Sequence, residues 1–187
     1  MKKTIFSLCI LFFITINSFS QNNDDMKKWM DYMTPGKAQQ EFAKMNGDWV
    51  YTSKFWMDPN GQPQTSEGTA KFEMLLDGRY QQLTVMGKMM GMDFKGIGIN
   101  GFDNAKKVYV SSWIDNFGTG LMYMEGNYDE ASKKIIYTGK MVDPMTGKDA
   151  EYKQTIKVID DKNLVMEMYD LSKGTEFKSM EIMYTKK

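Results

Sequence analysis

The chain has no histidine, and its one cysteine, Cys9, lies within the first twenty residues. Beyond that segment no Ser-His-Asp or Cys-His nucleophile is available, no tetrahedral Cys/His zinc and no His-ligated haem. Disulfides are excluded too, so stability must come from a packed core. Arginine occurs once, as Arg79, and 24 Lys plus Arg are matched by 24 Asp plus Glu. With no excess of basic residues, no nucleic-acid partner is expected.

The first twenty residues have the parts of a signal peptide. Lys2 and Lys3 form a basic start, Ile5 to Ile16 an apolar run, and Ser18 and Ser20 are small residues before Gln21. An apolar run of roughly a dozen residues is shorter than the roughly twenty of a membrane helix. The expected product is an exported chain, periplasmic or secreted, with no membrane span after cleavage. Without Lys2 and Lys3 the balance is 22 basic to 24 acidic residues, a net charge of −2. The expected organisation is 1–20 signal peptide, 21–46 flexible start and helical segment, and 47–187 one β domain. A chain of this size can bury about 70% of its unfolded surface.

Gln21 to Asp25 is polar and reads as flexible, with Asp24 or Asp25 capping a helical turn through Trp29, Met30 and Met33. Thr34-Pro35 reads as an N-cap and first turn of a second helix reaching about Met45 and burying Ala38, Phe42 and Met45. Asn46-Gly47 stops it. From there the period is two. Strands are expected near 49–57, 66–75, 79–88, 92–101, 107–115, 120–128, 134–142, 150–159, 163–170 and 176–185. The connections, such as Asp77-Gly78, Asp103-Asn104 and Asp160-Asp161-Lys162-Asn163, are turns. None can hold a crossover helix, so consecutive strands should pair antiparallel. The expected fold is all-β: an antiparallel barrel of about ten strands, whose closure removes two exposed edges, with the helical segment as outer cover or lid.

Gly96-Ile97-Gly98-Ile99-Asn100-Gly101 fits G-x-G-x-x-G, but the glycines lie inside a strand with another strand after them. A dinucleotide site needs a helix there. Glycines on one strand face suit a sharp coil or a ring packed on bare backbone. Asp143 to Lys148 ends in Gly-Lys without P-loop spacing and reads as a hairpin turn. Asp160-Asp161 has too few spaced oxygen ligands for calcium. No metal, cofactor or catalytic residue is assigned.

Nineteen methionines are present. Flexible thioethers fill cores and also line adaptable apolar pockets, and a ten-stranded barrel is wider than its side chains readily fill. The expected lining is Trp49, Tyr51, Phe55, Phe94, Trp113, Met122, Met124, Met166 and Met168, with Arg79 as the cation for a ligand carboxylate or phosphate. The expected partner is a small apolar or amphipathic ligand. A solid-core interaction module would instead lack a cavity of roughly 300 Å³. A carboxylate/Tyr enzyme would turn Asp93, Asp115 or Glu125 inward beside Tyr109 or Tyr123. The sequence sets no oligomeric state.

Gly47-Asp48-Trp49, opening the first strand, resembles the Gly-x-Trp signature of lipocalin-like (calycin) barrels. In those families a late Arg packs across the Trp. Here Arg79 is early, and the last strand offers Lys178, Lys186 and Tyr184. Longer stretches resemble the bacterial family called domain of unknown function 1579. They include Phe55-Trp56-Met57-Asp58-Pro59, Leu76-Asp77-Gly78-Arg79-Tyr80, Gly98 to Asn104, Trp113 to Gly120, Asp143 to Lys148 and Met180 to Thr185. That resemblance implies a lipocalin-like barrel and no particular activity.

Overall fold

A computed structural model describes residues 18–187 except Lys173, with side chains from Asn23 onward. Residues 1–17, which hold most of the signal peptide expected at 1–20, lie outside the described residues. Helix α1 (Ser18–Met33) belongs to a unit of its own, Met1–Met33. It runs through Gln21 to Asp25, whose polar sequence predicts a flexible segment. That stretch holds no Gly or Pro, so nothing in it stops a helix once begun. Among the described residues no helix is long and apolar enough to cross a membrane.

The second unit, Thr34–Lys187, begins with α2 (Lys37–Lys44). Its N-cap is Gly36 rather than Thr34, and the Gly36 amide donates to Gln39 Oε1 at 2.8 Å. Gly36 is itself extended (φ −112°, ψ −156°), so helical backbone begins only at Lys37. Phe42 and Gln39 are the buried residues of this helix, while Ala38 and Met45 are half-buried.

Ten strands follow: β1 (Gly47–Phe55), β2 (Gln64–Leu75), β3 (Tyr80–Met89), β4 (Met92–Asp103) and β5 (Val108–Asp115). Then come β6 (Met122–Asp129), β7 (Lys134–Asp143), β8 (Lys148–Asp160), β9 (Asn163–Asp170) and β10 (Phe177–Lys186). Each pairs antiparallel with the next, and β1 pairs with both β2 and β10, so the sheet closes into a barrel. Closure leaves no unpaired edge. In the two-residue connection between Met89 and Met92, Met90 (φ 52°) and Gly91 (φ 79°) are both left-handed. Two such residues make the turn whose twist matches a hairpin.

Alternate residues point inward. In β8, Gln154, Ile156 and Val158 face the interior, while Glu151 and Lys157 lie on the other face. Two core clusters result. One joins Trp49, Tyr51, Phe72, Val85, Leu164 and Tyr184, and the other Met122, Met124, Tyr137 and Met168.

Helix α2 lies at the barrel end where β1 begins. Gln81, fully buried on β3, donates to the Phe42 carbonyl at 2.7 Å. Gln39 donates to the Phe102 carbonyl at 3.2 Å, and Trp49 Nε1 to the Met45 carbonyl at 2.9 Å. Two of these bonds, to Phe42 and Met45, reach carbonyls at the helix's C-terminal end, and the third ties the helix to β4.

Candidate functional site

The barrel encloses a cavity of about 1190 Å³ whose lining runs from α2 to the opposite end. That exceeds the several hundred Å³ of ordinary small-molecule sites.

At the helix end, Phe42, Met45, Trp49 and Phe72 form an apolar wall. Beside it a polar chain runs from Ser111 Oγ to Asn100 Oδ1 at 2.9 Å and from Asn100 Nδ2 to Gln81 Oε1 at 3.5 Å. The rim here carries charges of both signs, including Lys107, Glu130, Lys133 and Asp161, all in turns between strands.

The middle is lined by Leu83, Val85, Gln154, Ile156, Met166 and Met168. Tyr137 packs behind this wall, fully buried, its hydroxyl without a hydrogen-bond partner among the described residues. Burial holds the Tyr137 and Tyr184 phenols far above their ordinary pKa. Tyr51 is also raised by burial, against a hydrogen bond with Ser66 that lowers it.

At the far end, Phe94 stacks on Trp113 with ring centres 6.4 Å apart and planes 22° apart. Phe117 tilts against Phe94 at 5.5 Å. Trp113 lies over Gly96, where an added Cβ would come within 2.1 Å of its ring. The glycine motif is therefore a seat for an indole. Trp113 Nε1 donates to Asp115 Oδ2 at 2.8 Å, and the Phe117 amide to Asp115 Oδ1 at 2.9 Å. Ser53 and Ser66, with hydroxyls 3.0 Å apart, line the cavity as well.

Of the residues singled out from sequence, Trp49, Tyr51, Phe94, Trp113, Met122, Met166 and Met168 line the cavity. Met124 is buried in the wall but does not line it, and Phe55 is half-buried at the end of β1 outside the lining. Arg79 sits outside altogether. Leu76, Asp77 and Gly78 all take positive φ, and the curled turn directs its guanidinium to the Leu76 carbonyl at 3.1 Å. Asp77 lies 3.7 Å away.

Of the three carboxylates weighed for catalysis, Asp93 is exposed and pairs with Lys88 at 3.0 Å. Glu125 is on the outside, accepting from Lys106 at 2.6 Å and from the Tyr123 hydroxyl at 2.8 Å. Asp115 alone of the three lines the cavity, and its bonds go to Trp113 and Phe117 rather than to a tyrosine.

Gln81, Asn100 and Ser111 were not singled out from sequence. Period-two parity marks them: Gln81 shares a strand face with Leu83 and Val85, and Asn100 with Phe94.

Architecture and interior together define a closed, ten-stranded antiparallel barrel with a cavity large enough for a small molecule. Residues 34–186 match the family described as Protein of unknown function (DUF1579), and the chain belongs to that family. No curated protein matches it. Among solved structures it is similar to Rv2717c from M. tuberculosis, at 12% identity and TM-score 0.60, covering 82% of this chain and 99% of that one. A redesigned beta barrel aligns at 9% identity and TM-score 0.42, over 78% of this chain and 94% of its own. The first likeness is one of fold.

Proposed function

We propose that this protein is an exported binder of a small apolar or amphipathic molecule held inside the barrel. The observation that carries the reading is the cavity of about 1190 Å³, lined largely by aromatic, aliphatic and methionine side chains with a few fixed polar groups. Such an interior is what small-molecule sites have in common. Methionines at 122, 166 and 168 give it walls that adapt in shape. A solid-core module has no use for that volume. Export is supported by Lys2-Lys3, the Ile5 to Ile16 apolar run and Ser18/Ser20.

The test is titration with N-phenyl-1-naphthylamine, a neutral apolar fluorophore. Saturable one-to-one binding, with a blue-shifted emission lost on unfolding, is expected. No binding, or binding that never saturates, would count against the reading.

A further inference from the structure

We propose that the far end of the cavity receives the cationic end of an organic amine, with Asp115 as counter-ion and Phe94, Trp113 and Phe117 as walls. The inference rests on the reading of the cavity as a binding site and names its ligand class.

The first observation is charge. Asp115 is the one charged lining residue away from the α2 rim; the others are on α2, in the turns beside it or, for Asp160, at the adjoining end of β8. Arg79, the cation expected from sequence for a ligand acid, is outside, and the lining lysines are all at the α2 end. Among the described residues no lysine or arginine pairs with Asp115. Its carboxylate is instead aimed by two neutral donors, Trp113 Nε1 and the Phe117 amide. Each leaves its oxygen able to accept another bond.

The second observation is the surroundings. Three rings stand together beside that carboxylate, Phe94 touching both Trp113 and Phe117. Aromatic faces attract cations through their quadrupole, and more strongly where water is excluded. A carboxylate among rings opposes an anionic ligand, because like charges repel.

The third is length. The cavity continues past this end into the apolar and methionine-lined middle, so a ligand with an amine at one end finds apolar wall for the remainder. The hydroxyls of Ser53 and Ser66 supply further acceptors for N–H groups.

The experiment is calorimetric titration of the folded protein with decylamine, decanol and decanoate, which share a tail and differ in head charge. Decylamine is expected to bind about tenfold more tightly than decanol, and decanoate more weakly than either. Asp115→Asn keeps the shape and an acceptor for Trp113. It should abolish the amine preference while decanol binds as before, which also reports that the variant is folded. Equal binding of decylamine and decanoate, or a preference that survives Asp115→Asn, overturns the inference while the binding reading stands. Failure of all three to bind the wild type overturns both.

Discussion

The Lys186 ammonium lies 5.7 Å from the centre of the Trp49 ring, over its face. The same nitrogen donates to the Lys44 carbonyl at 3.2 Å, while the Trp49 indole donates to the Met45 carbonyl at 2.9 Å. One lysine on the last strand thus clamps the first strand to the C-terminal end of α2. A cation near a helix C-terminus and over an indole is favoured on both counts.

Lys186→Met keeps most of the apolar stem and removes the charge and the donor. It should cost about 1 kcal/mol in urea unfolding and speed amide exchange at Met45 and Asn46, which close the helix. An unchanged midpoint with unchanged exchange would show that the clamp does not hold α2.

Gly96→Ala should destabilise by about 1–3 kcal/mol, the usual cost of overpacking, because the new methyl meets the rigid Trp113 ring at 2.1 Å. Gly118→Ala is the control. Nothing lies within 4 Å of that Cβ, and its stability should hold within about 0.5 kcal/mol. Thermal unfolding of both variants decides this, and equal melting points would remove the seat for the indole from the account.

Much of the barrel could be read from period two and turn chemistry. The reading placed the first strand at 49–57, the fourth at 92–101 and the ninth at 163–170. They are Gly47–Phe55, Met92–Asp103 and Asn163–Asp170. Inward parity carried Trp49, Tyr51, Phe94 and Trp113 correctly, since alternation on a regular strand is rigid geometry. It failed at strand ends. Arg79 stands one residue before β3 and Phe55 is the last residue of β1, where turns reorient side chains. Sequence offers Asp115 only as a catalytic carboxylate, although its spacing from Trp113 puts both on one face. What the Trp113 ring packs on, Gly96 and Phe94, comes from another strand, β4.

Alkali should unfold the barrel. In the unfolded chain a Tyr ionises near pH 10, whereas burial keeps Tyr137 and Tyr184 protonated well above that. Above pH 10 the unfolded state therefore binds fewer protons, and stability falls as pH rises, by about 1.4 kcal/mol per pH unit for each group. Absorbance at the tyrosinate band and circular dichroism should show these two phenols ionising together with unfolding. Titration of all ten tyrosines in the intact fold would contradict it. Tyr137→Phe should be neutral or slightly stabilising, because its hydroxyl is buried without a partner.

The acid limb follows from Glu167 on the outer face. Burial pushes its pKa up, but hydrogen bonds from Lys134 and Lys178 outweigh that and bring it down to about 2. The unfolded value is about 4.3. Between the two the unfolded state holds more protons, so the contribution is complete above about pH 4.5 and is lost as pH falls towards 2. Glu167→Gln should lower the melting temperature at pH 7 by a few degrees, about 1 kcal/mol for a partly screened cluster. Its difference from wild type should shrink by pH 2.5. A constant difference across that range would assign the loss to packing instead.

The most direct test of the central claim is native mass spectrometry of the protein purified from its own host without added lipid or detergent. The account predicts a reproducible extra mass, one small molecule per chain, that leaves when the barrel is denatured. A bare polypeptide mass, persisting after incubation with an extract of apolar and amine-bearing metabolites, would contradict it.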